Sequence, residues 1–273
     1  MREIRTLGAA EVETLVGWAA AEGWNPGIGD APAFRTADPD GFLGAFVAGE
    51  LVAGISAIAY GEDFGFIGLY ICRPDRRGQG HGKAVWDAGM ARLAGRTIGL
   101  DGVPEQQANY KCMGFVPAYE TVRLTGVARG TPSDGIVACT ATMLPDLTAF
   151  DRACFPGRRD AFLARWIEPP RVALADMTGG RLRGYGVVRP CVSGHKIGPL
   201  YAESAESAVR LLGALGHAAG GPVSIDVPAA KRPDIESCLA AATAGFMTAR
   251  MYRGGRPAMD QHRVFGISTL ELG

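Results

Sequence analysis

Apolar positions along the chain alternate between a period of two and a period near 3.6, and the switches between them outline the secondary structure. Residues 2–7 read as a strand. Residues 9–22 read as an amphipathic helix whose Val12, Leu15, Val16 and Ala19 share one face before Gly23 ends it. In the turn-rich stretch WNPGIGDAPAFRTADPD, Asp30 suits the N-cap of a short helix with Pro32 in its first turn. LGAFVAG and LVAGISAIAY around Gly49-Glu50 have the pattern of a hairpin, and GEDFG turns the chain into the apolar run FGFIGLYIC. Val85, Trp86, Gly89, Met90 and Leu93 then predict a helix over 83–94. TIGLD predicts a short buried strand, PEQQANYKCM a helix capped by Gly114, and FVPAYETVRLTG another strand. The fold class is α/β, with a mixed sheet flanked by helices.

Composition shifts at ARGTPSDG, residues 128–135, which reads as a linker between a domain at 1–127 and another at 136–273. The second half echoes the first. Ile67-Gly-Leu-Tyr70 is matched by Ile197-Gly-Pro-Leu-Tyr201, Leu100-Asp-Gly-Val-Pro104 by Ile225-Asp-Val-Pro228, and Gly114-Phe115 by Gly245-Phe246, in the same order. Strands at 171–176, 181–189 and 246–252, and helices near 146–154, 158–166, 204–215 and 233–243, fill the intervals.

The charge balance removes some classes of function. Lys and Arg number 28, Asp and Glu also 28, so nothing electrostatic favours nucleic acid or an anionic membrane. The N-terminal MREIRTLGAAEVETLV has no uninterrupted apolar core and no stretch approaches a membrane span, so the expected location is the cytoplasm. Six cysteines lack C-x-x-C spacing and four histidines stand apart, which argues against a metal site and a Ser-His-Asp triad.

The chemistry concentrates after FGFIGLYIC, where RPDRRGQGHG opens the next helix. Gly78, Gly80 and Gly82 leave bare backbone where a ligand must come close, and the unpaired N–H groups of a helix's first turn suit phosphate. A Walker A loop does not fit, because Arg77 stands where its first glycine belongs and Ala84 where Ser or Thr belongs. G-x-G-x-x-G fails from either starting glycine, with Lys83 or Val85 in third place. Arg77-x-x-Gly80-x-Gly82 does resemble the R-x-x-G-x-G pyrophosphate loop of the GNAT superfamily of acyl-CoA-dependent N-acyltransferases. Tyr110-Lys-Cys-Met-Gly114-Phe115 similarly resembles that family's Tyr-x-x-x-Gly-Phe segment, and the element order of the first half matches as well.

This resemblance implies acetyl-CoA as co-substrate, held by Arg77, Gly78, Gln79, Gly80, His81, Gly82 and Lys83, with Asn109 near the position of a family asparagine. It implies backbone N–H groups at Ile71 and Cys72 that polarise the thioester carbonyl. Tyr110 would protonate the departing thiolate, a task suited to a phenol whose ordinary pKa slightly exceeds a thiol's. A carboxylate would take the proton of a small-molecule amine acceptor; Asp101 at a strand end is preferred over Glu62 and Asp63. Trp24, Asn25, Phe34 and, from the second half, Tyr252 are candidate walls of the acceptor site. Arg189, Lys196, Arg250 and Arg253 read either as a site for an acidic group or as a solvated basic face. The second half has AESAESAV in place of the glycine loop and Ala241 where Tyr110 would stand, so it reads as a degenerate lobe in a two-lobed member of the family. The alternative function is an acyl-CoA-binding regulator without turnover.

Overall fold

A computed structural model describes residues 1–273. The first half runs β1 (Arg2–Thr6), α1 (Ala9–Ala21), α2 (Asp30–Ala37), β2 (Phe42–Val47), β3 (Glu50–Tyr60), β4 (Phe64–Cys72), α3 (His81–Arg92), β5 (Thr97–Gly102), α4 (Pro104–Cys112) and β6 (Val116–Ala128). The β2–β3 hairpin turns through Ala48 at φ 51° and Gly49 at φ 82°, the left-handed pair that a tight two-residue connection needs to match strand twist. In α2, Asp30 is the first helical residue, not the cap, which falls to Gly29 at φ 77°. The Asp30 carboxylate is committed elsewhere. It accepts the Gly27 N–H at 2.8 Å and binds Arg189 and Arg171 of the second half.

The second half runs β7 (Ile136–Ala138), α5 (Leu144–Cys154), α6 (Asp160–Trp166), β8 (Val172–Asp176), β9 (Gly184–Pro190), β10 (His195–Ala202), α7 (Ala205–Ala219), β11 (Val223–Pro228), α8 (Arg232–Glu236), β12 (Leu239–Arg253) and β13 (Val264–Gly266). The helix expected over 233–243 stops at Glu236, and Leu239 already belongs to a strand of 15 residues. LAAATAG carries no polar stripe to give a helix a solvent face. Pairing Leu239 with Ala128 and Ala240 with Val127 satisfies its backbone, so tertiary context overrides alanine's helix propensity.

Both halves share one sheet, ordered β1-β2-β3-β4-β5-β12-β6-β11-β10-β9-β8-β7, with β13 on β10. The two halves exchange strands at its centre. β12 lies between β5 and β6, with Arg250 opposite Asp101, while β6 crosses to pair with β11, Leu124 opposite Ile225. Ala128, expected at the start of a linker, is instead the last residue of β6, and each lobe is completed by a strand from the other. The core is equally shared: Leu15, Phe34, Phe42 and Phe66 pack in one cluster with Phe155, Phe162, Trp166 and Val187. Trp166 is fully buried and donates its indole N–H to the Gly198 carbonyl at 2.9 Å. Burying such a side chain contributes roughly 1.5–3 kcal/mol, and here the gain requires both halves.

Candidate active site

β4 and β5 run parallel and pair only from Phe64–Thr97 to Ile67–Leu100, after which they diverge. A cavity of about 650 Å³ occupies the divergence. Its walls come from Gly68 to Cys72 on β4, Leu100 and Asp101 on β5, Glu105, Gln106 and Tyr110 on α4, and Trp24 after α1. Phe246 and Thr248 of β12, with Leu270 and Glu271 beyond β13, close the remaining side, so the second half builds part of this cavity.

A bulge shapes the β4 wall. Gly54 pairs with Ile71 and Ser56 with Gly68, so Leu69 and Tyr70 together oppose Ile55, and Leu69 takes φ 44°. Arg73 donates its N–H to the Val52 carbonyl at 3.0 Å. Antiparallel alternation then turns the peptide groups of Ile71 towards β3 and those of Cys72 towards the opening. Of the two N–H groups expected to polarise a carbonyl, Cys72 has the right direction and Ile71 does not.

At the mouth, residues 74–76 form a short 3-10 turn, and Gly80, at φ 78°, caps α3. The first backbone bond inside the helix runs from Ala84 to Gly80, which leaves the N–H groups of His81, Gly82 and Lys83 without helical partners. A Cβ placed on Gly78 would meet nothing within 4 Å, and one on Gly80 only the Arg2 guanidinium at 3.7 Å. This bare, open cradle fits a pyrophosphate. Arg77 donates to the Cys72 carbonyl at 3.1 Å and pairs with Glu22, which fixes it between the loop and the cavity. Gln79 reaches the Asp75 carbonyl at 3.4 Å, Lys83 pairs with Asp87 on the exposed face of α3, and His81 is buried with Nδ1 unpartnered. Asn109 donates to Gln106 at 2.8 Å on the exposed side of α4.

Tyr110 stacks on Trp86 with ring centroids 5.5 Å apart, and Tyr70 tilts against the same indole at 5.3 Å. Burial, with a smaller contribution from Tyr70, pushes the Tyr110 phenol up to about 12, so it remains an acid throughout the neutral range. Burial likewise raises the Cys72 thiol, against the pull of Arg77 and the Gly82 N–H, which disfavours a thiolate and hence a covalent acyl carrier.

Several expected site residues have other work. Asp101 is buried and both its oxygens accept from Arg250 at 2.8 Å, so it staples β5 to β12 and has no oxygen free for an amine. Burial raises its carboxyl against the pull of that guanidinium. Glu62 and Asp63 are exposed in the β3–β4 turn, outside the cavity. Phe34 is fully buried against Trp166 at 6.0 Å, Tyr252 is 3% exposed in the same core, and Asn25 is tied to the Ser193 backbone by two bonds of 2.9 Å. Of the four residues expected to wall the acceptor site, Trp24 alone lines the cavity. Arg189, Lys196 and Arg250 are buried, which overturns the solvated basic face for those three, whereas Arg253 is exposed.

Sequence reasoning missed Tyr70, Phe246, Thr248 and Glu271. Its available signal was the repeated Ile-Gly. A Cβ on Gly68 would lie 2.1 Å from the Glu271 carbonyl oxygen, and one on Gly198 2.4 Å from that of Ser268. Both glycines are bare because the segment following β13 crosses both strands.

The second lobe has the same divergence, already filled. β10 and β11 pair from His195–Val223 to Ile197–Ile225, then β13 pairs with β10, and Ile267 donates to the Asp226 carbonyl at 3.0 Å. At the position of the glycine loop, Ser204 caps α7 through the Ser207 N–H at 3.2 Å, and Glu203 pairs with Arg181 at 2.7 Å. Ala241 lies on β12, so no helix offers a counterpart of Tyr110.

Residues 9–115 match the acetyltransferase (GNAT) family, and residues 147–266 match an acetyltransferase (GNAT) domain. The chain is 34% identical over 269 residues to holothin acyltransferase from Pseudoalteromonas sp. (strain SANK 73390), covering 94% of this chain and 89% of that protein. It is 25% identical over 234 residues to the uncharacterized N-acetyltransferase YitH of Bacillus subtilis (strain 168), covering 83% and 82%. In structure it resembles a putative acetyltransferase from Pyrococcus horikoshii, with a TM-score of 0.81 and 23% identity over 100% of this chain and 96% of that one. It also resembles a tandem GNAT protein from the clavulanic acid biosynthesis pathway, with a TM-score of 0.58 and 13% identity over 95% and 99%.

Proposed function

Since the chain belongs to the GNAT acetyltransferase family, as a two-lobed acyltransferase, we propose that it moves an acetyl group from acetyl-CoA to the amine of a small-molecule acceptor in its first lobe. The observation that carries this reading is the contrast between the lobes: one divergence opens from a bare glycine loop to a protonated phenol, and the other is plugged by its own chain. The N–H groups of His81, Gly82 and Lys83 hold the pyrophosphate of acetyl-CoA, whose thioester brings the activated acetyl group. The Cys72 N–H donates to the thioester oxygen as charge develops there. The Tyr110 hydroxyl gives its proton to the departing sulfur; the phenol is the weaker acid, so this transfer is uphill by itself and is completed as the proton lost by the acylated nitrogen restores the phenol.

The acceptor enters on the side of Trp24, Phe246 and Thr248. The first two offer aromatic faces to it. Holothin, the molecule for which the 34% identical relative is named, belongs in the panel of acceptors. Thiol release from acetyl-CoA across that panel, with mass detection of the product, tests the reading. The expected result is an acceptor heavier by one acetyl group; thiol release with no acylated amine from any member would contradict it.

A further inference from the structure

We propose that Glu271, carried into the cavity by the segment after β13, takes the proton from the acceptor's ammonium group. The proposal rests on the acetyl transfer to an amine put forward above. Four carboxylates line the cavity. Asp101 is held by Arg250, Glu22 is held by Arg77, and Glu105 stands exposed on α4. Glu271 is 3% exposed and joins none of the ion pairs that bind every other buried carboxylate: Asp226 to Arg123 at 2.8 Å, Asp30 to Arg189 at 3.2 Å, and Asp151 to Arg159 at 2.8 Å among them. A buried carboxylate retained for structure is ordinarily paired, because an unpaired buried charge is costly. Nor is this one sealed in. Polar atoms cut off from both solvent and partners occur at Arg189 and Thr248 nearby, not at Glu271.

Position agrees with chemistry. The Glu271 backbone is pinned against the bulge: its carbonyl accepts from Ser56 Oγ at 3.0 Å and comes so near Gly68 that a Cβ there would lie 2.1 Å away. Gly68 adjoins the bulge at Leu69 and Tyr70, four residues before the Cys72 N–H assigned to the thioester oxygen. The charge of Glu271 is felt by Arg123 of β6, Arg189 of β9, Lys196 of β10 and the Cys191 thiol. Arg123 is committed to Asp226 and Arg189 to Asp30, and both Arg123 and Lys196 also donate to the Trp24 carbonyl. Glu271 thus lines the cavity, outside any ion pair and within the field of buried cations. The ammonium gives one proton to Glu271, and the neutral nitrogen attacks. The C–N bond forms, the C–S bond breaks, and sulfur takes the Tyr110 proton. The second nitrogen proton restores the phenol, and Glu271 passes its proton to solvent, so one proton is released overall.

Benzylamine and aniline test this, since they are similar in shape but at neutral pH the first is an ammonium ion and the second already neutral. Glu271→Gln should lower kcat/KM for benzylamine by about 10²-fold and leave aniline and acetyl-CoA affinity nearly unchanged. Glu271→Asp, which keeps the carboxylate, should recover part of the loss. Equal losses for both amines, or for the Asp and Gln variants, would make the residue structural and overturn the proposal. Full benzylamine turnover in Glu271→Gln would overturn it alone. Wild-type enzyme inert towards every amine would overturn the acyl-transfer reading beneath it as well.

Discussion

Tyr110 and Asp101 look alike in the sequence, each a polar residue near the end of an element beside the cleft, and their surroundings give them opposite fates. Tyr110 faces the cavity with its phenol raised to about 12, so Tyr110→Phe should keep acetyl-CoA affinity and slow the chemical step by about 10²-fold, read in pre-steady-state kinetics. The same shift fixes a sign for stability. The folded state keeps the proton more tightly than the unfolded chain, so this contribution is complete below about pH 10 and is lost as pH rises towards 12. Alkaline denaturation of Tyr110→Phe should accordingly be less steep across that window. Asp101 was legible as a carboxylate at a strand end, but its partner lies 149 residues away, beyond any local pattern. Asp101→Asn should cost about 3–5 kcal/mol in stability by stranding Arg250, seen as a lower denaturant midpoint, and leave the acid limb of the pH–rate profile in place.

Elements with strong punctuation were readable from the chain itself. Pro74-Asp75, the three glycines and the helical spacing from Val85 onward locate the loop and α3, and Ala48-Gly49 makes the hairpin. The failures fall where context decides. Residues 239–245 became strand because β6 offered an unpaired edge, and Phe34 turned inward because Trp166 of the other half lies above it. The segment after β13 had no periodicity to announce it, and only the bare glycines at 68 and 198 mark its passage. Gly68→Ala therefore tests that packing. It should displace the Glu271 backbone and lower stability by about 1–3 kcal/mol, measured by urea unfolding, whereas Gly78→Ala, with open space around it, meets only the cost of its positive φ.

At the scale of the whole molecule, the exchange of β6 and β12 makes the lobes interdependent, and the duplicated fold has been put to two uses. One divergence is open as a cavity, and in the other β13 fills the opening. The loss of the second glycine loop was visible in AESAESAV, but the plug was not, because its strand, at Val264–Gly266, lies far along the chain beyond β11 and β12. A single acetyl-CoA site per chain is therefore expected. Calorimetric titration of the intact protein with acetyl-CoA measures this directly, alongside Gly80→Val, whose side chain would fill the cradle. A stoichiometry near one that vanishes in the variant is the expected result; two equivalent sites, or one site indifferent to Gly80→Val, would contradict it.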